Sequence, residues 1–392
     1  MIHPSISKST IGVVGSGAMG AGIAQVAATA GHTVFLYDTN KAALDKASAN
    51  LNQTLKKLVE KQKITQDKAD SITKNIRFAS DLKDLSACGL IIEAIIENLE
   101  IKQQVFSQLE SMVADTCILA SNTSSLSIAS IAAACKKAER VVGIHFFNPA
   151  PLMPLVEIIP AITTNPFYTE QAKITVDSWG KLTALTKDTP GFIVNRVARS
   201  YYGESIRIYE EGIADFATID WAMKTVGDFK MGPFELMDFI GNDINFKVSE
   251  RVWEQFFYEP RFKPSLTQKR LYEARLFGRK SGKGFYDYAE GAVMPQPKKD
   301  DELAKSIFYR VIAMLINEAV DSLHLQLATK EDIDLAMTKG VNYPKGLLKW
   351  ADELGLPNIL DILIKLQTEY GEERYRPSVL LKRMVKEERT FY

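Results

Sequence analysis

The feature that most constrains this sequence is a glycine-rich hexapeptide between a short apolar run, 11–14, and a helical pattern, 21–30. It reads Gly15-Ser16-Gly17-Ala18-Met19-Gly20. In a strand–turn–helix unit the first glycine permits the tight turn, the second lets the backbone approach a pyrophosphate, and the third allows close helix–strand packing. The helix N-terminus offers free N–H groups and a positive dipole to the phosphates. The hexapeptide therefore predicts a dinucleotide-binding domain, although the pattern alone can also be a plain turn.

Asp38 strengthens the cofactor prediction, because it ends the next apolar run 18 residues beyond Gly20. A carboxylate at this distance can bind both ribose hydroxyls of a dinucleotide, and it would repel a 2′-phosphate. No arginine follows immediately to accept such a phosphate. The sequence therefore predicts NAD rather than NADP.

Short β-branched runs alternate with longer helical stretches in the first part of the chain, which is typical of a parallel sheet with helices on its faces. The predicted strands are Ile11–Val14, Thr33–Tyr37, Gly89–Ile95, Cys117–Ala120 and Val141–His145. The polar stretch 41–74 has apolar residues at helical spacing and predicts a helical hairpin that turns near Lys63–Gln66.

Helical periodicity dominates after residue 188, and we expect a helix whose first turn contains Pro190, capped by Asp188 or Thr189. Residues in the first half of this region match residues 114 positions later in the chain. Near the end of the region the matching residues are 113 positions apart. The aligned pairs include Arg196 with Arg310, Glu204 with Glu318, Asp220 with Asp334, Gly232 with Gly346, Asp238 with Asp352, and Arg261 with Arg374. This order of matches predicts a duplicated helical unit. Three domains follow: 1–187, an α/β Rossmann-type domain, and two all-α domains at 188–290 and 300–392.

Composition excludes several classes of protein. The 392 residues carry 48 basic and 48 acidic side chains, so bulk charge does not favour nucleic-acid binding. The three cysteines (Cys88, Cys117, Cys135) have no metal-ligand spacing and lie in apolar stretches, as expected of buried thiols in a reducing compartment. We find neither an apolar signal core nor a run of membrane-spanning length, and we expect a cytoplasmic protein with no membrane contact.

His145 is the strongest candidate for acid–base chemistry among the four histidines. It ends an apolar strand, where open α/β sheets form their cofactor crevice, whereas we expect His3 and His32 to be exposed. Glu157 interrupts a second apolar run, and a buried carboxylate is costly unless it is paired. A histidine–glutamate pair could remove the hydroxyl proton as a hydride leaves for nicotinamide. A hydrogen-bonded core histidine and a glutamate facing water remain the alternatives.

Six segments together resemble the 3-hydroxyacyl-CoA dehydrogenase family, and the resemblance covers residues 10 to about 288. They are GSGAMGAGIAQ (15–25), EAIIEN (93–98), SNTSSL (121–126), HFFNP (145–149), DTPGFIVNR (188–196) and MGPFE (231–235). The resemblance implies NAD-dependent oxidation of a 3-hydroxyacyl-CoA, with His145 as base, Glu157 as its partner, and Ser124 and Asn195 bonded to the reacting oxygen or the thioester carbonyl. It further implies cofactor contacts from Ser124, Glu97, Lys102, Asn148 and Lys280, and coenzyme A contacts from Thr54 and Lys61.

Each implied role has a structural alternative. Ser124 could cap a helix that begins near Ser127, and Asn195 could be an amide on a helix surface. The lysines, including those of the hairpin, could be solvated surface charges. A 3-hydroxy acid dehydrogenase with a lysine base on its helical domain, acting on a substrate without coenzyme A, and a non-catalytic binding protein of the same fold also remain as alternatives.

The second helical copy departs from the first where chemistry is expected. Asn195 aligns with Tyr309, and no glycine–lysine segment follows Arg383. We therefore expect the second copy to lack catalytic function. The resemblance implies that relatives with one helical domain pair it with that of another subunit. Our hypothesis is that 300–392 takes that partner's place within one chain, which makes the protein a monomer or a weak homo-oligomer.

Overall fold

The computed structural model describes residues 10–392, and His3 lies outside that range. The chain forms two compact units, which divide after Phe192. The first unit is an α/β domain and the second is helical. No helix in the described range is both long enough and apolar enough to cross a membrane.

The first unit contains one eight-stranded sheet with the order β3-β2-β1-β4-β5-β6-β7-β8. The strands are β1 (Ile11–Val14), β2 (Val34–Tyr37), β3 (Ile76–Ala79), β4 (Leu90–Glu93), β5 (Ile118–Ser121), β6 (Val141–Phe146), β7 (Leu155–Pro160) and β8 (Leu182–Leu185). The first six run parallel; five of them were predicted, and β3 was not. β7 is antiparallel to β6, and β8 is parallel to β7, so the sheet departs from the predicted parallel arrangement at this edge.

Six helices accompany the sheet. They are α1 (Ala18–Thr29), α2 (Lys41–Glu60), α3 (Gln66–Asn75), α4 (Leu99–Met112), α5 (Ile128–Ala132) and α6 (Pro166–Ser178). α2 and α3 form the predicted helical hairpin. Asn40 caps the first helix and Thr65 caps the second, each through a side-chain oxygen that accepts backbone N–H groups.

Alternate residues of the central strands enter two separate hydrophobic clusters, one on each face of the sheet. Ile11 and Val13 belong to one cluster, whereas Val14 and Ile91 belong to the other. A strand that is covered on both faces needs apolar residues at every position. This explains why the strands read as continuous apolar runs. The three cysteines are buried and free, as predicted.

The second unit contains eleven α-helices and no β-strand within residues 193–392. They are α7 (Val194–Val197), α8 (Arg199–Glu210), α9 (Phe216–Gly227), α10 (Pro233–Ile240), α11 (Asn242–Gln255), α12 (Leu266–Glu273), α13 (Asp301–His324), α14 (Lys330–Gly340), α15 (Leu347–Leu354), α16 (Leu356–Tyr370) and α17 (Val379–Lys386). The helices α14, α15 and α16 begin 114 residues after α9, α10 and α11, and α17 begins 113 residues after α12.

The predicted helix with Pro190 in its first turn was wrong, because α7 begins only at Val194. Asp188 instead accepts hydrogen bonds from Ser127 Oγ and from the backbone N–H groups of Ile128 and Ala129. Asp188 therefore caps α5, a helix about 60 residues earlier in the chain, and belongs to the first unit.

Candidate active site

The glycine-rich turn has the geometry that its sequence predicts. Gly15 adopts φ +101°, and a Cβ there would lie 2.6 Å from the carbonyl oxygen of Ala94. A Cβ on Gly20 would lie 1.8 Å from the carbonyl oxygen of Gly15, so no larger residue fits. Nothing lies within 4 Å of the Cβ position of Gly17. The turn thus leaves open space at the N-terminus of α1, where a pyrophosphate fits.

Asp38 lies against this turn, at the end of β2. Its carboxylate accepts hydrogen bonds from Ser16 N at 2.7 Å, from Ser16 Oγ at 2.8 Å and from Asn40 N at 2.9 Å. Partial burial opposes ionisation of Asp38, but these hydrogen bonds outweigh it and lower the pKa of the carboxyl group. The group is therefore an anion at neutral pH, which suits ribose hydroxyls and disfavours a 2′-phosphate.

His145 and Glu157 face each other across the antiparallel pair β6–β7, at directly opposed positions of the ladder. His145 Nδ1 lies 2.7 Å from Glu157 Oε2. Glu157 is 0% exposed and His145 is 5% exposed, so the contact is shielded from water. The rings of Phe147 and Phe192 lie 4.5 Å and 5.8 Å from the imidazole and flank it. The two residues that the sequence selected are thus brought together.

Glu93 occupies the end of β4 and is fully buried. Its carboxylate accepts from Lys102 Nζ at 2.6 Å, from Ser121 Oγ at 2.7 Å and from Ile95 N at 2.6 Å. Lys102 is also buried, which excludes the surface charge considered from the sequence. A buried charge requires such compensation. This network fixes the start of the segment that carries Glu97.

Glu97 is held by hydroxyl groups that follow β5. It accepts from Thr123 Oγ1 at 2.5 Å and from Ser125 Oγ at 2.9 Å, and Lys102 Nζ lies 3.3 Å away. Burial opposes its ionisation, but Lys102 and the two hydroxyls outweigh this effect and lower its pKa. The roles of Thr123 and Ser125 were not predicted from the sequence. The available signal was a run of hydroxyl residues after a strand that neighbours the strand of Glu93.

Ser124 is half-buried in the same turn after β5. It does not cap α5, because Ser127 does so by accepting a hydrogen bond from Ser130 N. Asn148 is exposed in the loop after β6 and precedes a cis peptide bond to Pro149. Both residues therefore follow the ends of strands that border the His145–Glu157 pair.

The remaining predicted residues lie elsewhere. Thr54 is exposed on α2, and Lys61, also exposed, directly follows that helix. Asn195 and Lys280 belong to the second unit. Asn195 is half-buried in α7, and Lys280 Nζ lies 2.7 Å from Asp243 Oδ2. His32, predicted to be exposed, is instead buried edge-on against Trp179.

Comparisons with known proteins identify the family of this chain. Residues 10–189 match the family model of the 3-hydroxyacyl-CoA dehydrogenase NAD binding domain, and 191–288 and 307–390 match that of the C-terminal domain. The 3-hydroxyadipyl-CoA dehydrogenase of Escherichia coli K12 is 38% identical over 96% of this chain and 97% of its own length.

Two crystal structures extend the comparison. The 3-hydroxybutyryl-CoA dehydrogenase of Escherichia coli K12 has a TM-score of 0.91 at 37% identity and covers 97% of this chain and 99% of its own. The (S)-3-hydroxybutyryl-CoA dehydrogenase of Ralstonia eutropha has a TM-score of 0.69 at 36% identity and covers 71% of this chain and 99% of its own. Both parts of the chain match the same family, and the chain therefore belongs to the 3-hydroxyacyl-CoA dehydrogenase family.

Proposed function

We propose that His145 and Glu157 are the acid–base pair with which this chain carries out the NAD-dependent oxidation of 3-hydroxyacyl-CoA to 3-ketoacyl-CoA. The observation that carries the proposal is the buried 2.7 Å contact between His145 Nδ1 and Glu157 Oε2. An imidazole held in this way by a carboxylate has a fixed orientation and a stabilised charged form.

The contact assigns separate tasks to the two ring nitrogens of His145. Nδ1 donates its proton to Glu157, so Nε2 is the atom that accepts the proton of the substrate 3-hydroxyl. The carboxylate of Glu157 then stabilises the imidazolium ion. In the reverse direction Nε2 returns the proton to the 3-keto oxygen. Bound NAD supplies the hydride acceptor for the oxidation.

Other residues bind and orient the reactants in this proposal. Ser124 and Asn195 hydrogen-bond the reacting oxygen or the thioester carbonyl. The glycine-rich turn binds the pyrophosphate, Asp38 binds the ribose, and Glu97 is a further contact to the cofactor. Lys102 is buried behind Glu97, at 3.3 Å, so we assign it to positioning of that carboxylate.

The remaining assignments are less central to catalysis. Asn148 and Lys280 are further cofactor contacts. Thr54 and Lys61 fall near one side of the hairpin, both exposed, and are suited to a coenzyme A phosphate arm.

Substitution of His145 by glutamine tests the proposal. The His145→Gln variant should lose roughly 10²- to 10⁴-fold in kcat for acetoacetyl-CoA reduction, because the amide cannot transfer the proton. Its affinity for NADH, measured by fluorescence titration, should be unchanged. His324→Gln, a change of the same chemistry on α13, is the matched control and should keep full activity. An active His145→Gln variant would refute the assignment of the acid–base pair. Equal activity of the wild-type enzyme on free 3-ketoacids and on their coenzyme A thioesters would refute the assigned substrate class.

We further propose that the second unit arose by duplication of one helical domain. The equal spacing of corresponding helices supports this, as does the double match to the same C-terminal family model. Local contacts repeat as well. Asp220 accepts the backbone N–H groups of Phe234 and Glu235, and Asp334 accepts those of Leu348 and Lys349.

Reciprocal ion pairs support a pseudo-twofold pairing of the two copies. Arg196 Nε lies 2.5 Å from Glu318 Oε1, and Arg310 Nε lies 2.6 Å from Glu204 Oε1. The shift of 114 residues converts one pair into the other. Such an exchange is the signature of an isologous interface, here within one chain. The Ralstonia eutropha enzyme, which matches only 71% of this chain, has no counterpart for the rest. We propose that this remainder replaces a partner subunit and that the chain is a monomer.

A further inference from the structure

A small pocket in the second unit is lined by an excess of cationic side chains. Its cavity volume is about 20 Å³, and the pocket opens to solvent. Five cationic residues and one carboxylate line it: Arg199, Arg207, Arg261, Lys263, Arg374 and Glu204. We call it the cationic pocket. It does not include any residue assigned above to catalysis or cofactor binding.

A second pocket in the same unit provides an internal comparison. Under the shift of 114 or 113 residues, Glu204 corresponds to Glu318, and Lys263 corresponds to Arg376. Glu318 and Arg376 line the second pocket. That pocket has three cationic residues (Arg196, Arg261, Arg376) and three carboxylates (Glu259, Glu318, Asp321), so its formal charges balance.

The two pockets differ most at one pair of corresponding positions, Arg207 and Asp321. In the balanced pocket, Arg261 Nη1 lies 2.9 Å from Glu318 Oε2 and 3.0 Å from Asp321 Oδ2. In the cationic pocket the arginine that corresponds to Arg261 is Arg374. Arg207 occupies the position at which Asp321 neutralises the arginine of the balanced pocket. The negative charge of that position is therefore replaced by a positive charge beside Arg374.

The consequences of that replacement are visible in Arg374. Its side chain is 6% exposed and pairs with Glu372, which corresponds to Glu259 of the balanced pocket, whereas Arg261 pairs there with Glu318 and Asp321. Its Nη1 is buried and has no hydrogen-bond partner within the described residues. A buried guanidinium nitrogen without a partner is costly. The pocket therefore lacks an acceptor at the position where Asp321 supplies one in its counterpart.

Arg199 and Arg207 also lack a close carboxylate partner among the described residues. Arg199 donates only to neutral oxygens, Asn195 O and Ser249 Oγ, and burial lowers its pKa. Arg207 forms no ion pair within 10–392. Glu211, one turn further along its helix, already accepts two hydrogen bonds from Arg310, at 2.8 and 2.9 Å. Glu211 interacts electrostatically with Arg207 as well, but neither Arg199 nor Arg207 has an ion pair of its own in the described part of the chain.

We propose that the cationic pocket binds a phosphate group, which takes the place of the missing carboxylate between Arg207 and Arg374. Guanidinium groups bind phosphate through paired N–H donors, and Lys263 adds a further positive charge. The pocket is small and open to solvent, so it can admit no more than a small group such as one phosphate and is too small for a dinucleotide. The proposal depends on the register of the two helical copies and is independent of the proposed reaction.

Calorimetric titration of the full chain with inorganic phosphate tests this. Saturating NADH keeps phosphate from the glycine-rich turn, and sodium chloride holds the ionic strength constant. Wild-type protein should bind phosphate, and it should gain thermal stability as phosphate rises, because a ligand of the folded state stabilises it. Acetate at the same ionic strength should have a much smaller effect.

Two variants locate the binding. Arg207→Asp restores the carboxylate of the balanced pocket and should weaken phosphate binding at least about tenfold without loss of melting temperature in phosphate-free buffer. Lys263→Met changes an exposed side chain that does not affect folding, and should weaken binding about threefold to tenfold. Arg389→Asp, the same charge change at an exposed position outside the pocket, should bind as wild type does.

The possible results of these titrations either support the proposal or overturn it. Absence of phosphate binding by wild-type protein, equal stabilisation by acetate, or wild-type affinity in Lys263→Met would overturn the proposal. If Arg207→Asp does not fold, the Lys263→Met result decides. ADP in place of inorganic phosphate then identifies the source of the phosphate group. Binding of ADP with loss in the same variants indicates a nucleotide, whereas binding of inorganic phosphate alone indicates the free ion, and either result supports the site.

Discussion

Asp38 illustrates how a single carboxylate can set cofactor preference. It is positioned by Ser16 and Asn40 beside the open space at Gly17. The Asp38→Ala variant loses a charged acceptor for the ribose hydroxyls and also the repulsion of a 2′-phosphate. Hydrogen bonds to charged groups contribute about 1.5–3 kcal/mol, so KM for NAD should rise roughly tenfold to a hundredfold.

The same variant should use NADP relatively better, with the ratio of kcat/KM for NADP over NAD rising at least about tenfold. Asp45→Ala, at an exposed position of α2, is the control and should leave both values unchanged. An Asp38→Ala enzyme with wild-type preference would show that this carboxylate does not contact the ribose.

The buried pair Glu93–Lys102 carries a prediction about stability. The Lys102→Met variant leaves Glu93 uncompensated in a site from which water is excluded, and should lose about 3–5 kcal/mol of unfolding free energy. Adding Glu93→Gln removes the orphaned charge, so the double variant should recover most of that loss. Urea unfolding of the two single variants and the double variant measures the coupling. Additive losses would contradict a direct dependence of Glu93 on Lys102.

At the residue scale, the site residues that could be predicted from the sequence are ionisable side chains within apolar runs. His145 and Glu157 interrupt apolar runs, and the structure brings them together at 2.7 Å. Thr123 and Ser125 escaped notice, because hydroxyl residues after a strand occur in any turn. Their contact with Glu97 depends on the adjacency of β4 and β5, which local sequence does not encode.

Among the secondary-structure elements, five strands were predicted, whereas both edge strands and the interior strand β7 were missed. β1, β4 and β5 are buried at every position, so they read as apolar runs. β3 lies at one edge of the sheet and exposes Arg77 and Phe78, and β8 lies at the other edge and exposes Leu182 and Leu185. Neither has the pattern of a buried strand.

Asp188 shows a second limit of local sequence. Asp-Thr-Pro is a typical helix start, yet the carboxylate caps α5, which is distant in sequence. A cap from outside the helix uses the same chemistry as a local one, because any carboxylate can accept the free N–H groups of a first turn. Only the tertiary fold determines which helix receives it.

Asp220 connects α9 to the N-terminus of α10 and gives a pH-dependent prediction. Burial raises the pKa of Asp220 to about 7 from its ordinary value of 3.8, despite the hydrogen bonds it accepts. Between these values the folded state holds a proton that the unfolded chain releases. The unfolding free energy contributed by this group therefore falls as pH rises through the window, by up to about 1.4 kcal/mol per pH unit, and is constant above it.

The Asp220→Asn variant should lack this slope, whatever its absolute stability. Urea unfolding at about pH 5 and about pH 8 measures the difference. The Asp361→Asn variant, at an exposed position of α16, should retain the wild-type slope. If Asp220→Asn has that slope too, the buried carboxyl group does not titrate in this range.

For the whole molecule, the internal repeat that we propose was suggested by the sequence because charged and glycine positions recur in order. Apolar positions are less informative, since many apolar residues can fill a helical core equally well. The repeat does not by itself indicate how the copies pair. The pairing is indicated only by the two corresponding ion pairs, Arg196–Glu318 and Arg310–Glu204. The two members of each pair lie more than 100 residues apart in sequence.

The pseudo-dimer proposal makes a prediction about assembly. α13 is buried along most of its length and packs on α8 and α9 of the first copy. A chain cut after Tyr288 would expose those faces and leave Arg196 and Glu204 without their partners. Exposed apolar surface of this kind favours association. By sedimentation, the full chain should be a monomer of 43.7 kDa, and the cut form should be a dimer.

A charge reversal tests whether the cut form associates through the predicted face. In a symmetric dimer of the cut form, Arg196 would meet Glu204 of the second copy, as it meets Glu318 within the full chain. Arg196→Glu places like charges opposite each other at that position and should return the cut form to a monomer. Arg270→Glu, at an exposed position of α12, should leave the dimer intact. A monomeric cut form, or a full chain that dimerises through the same helices, would refute the replacement of a partner by the second copy.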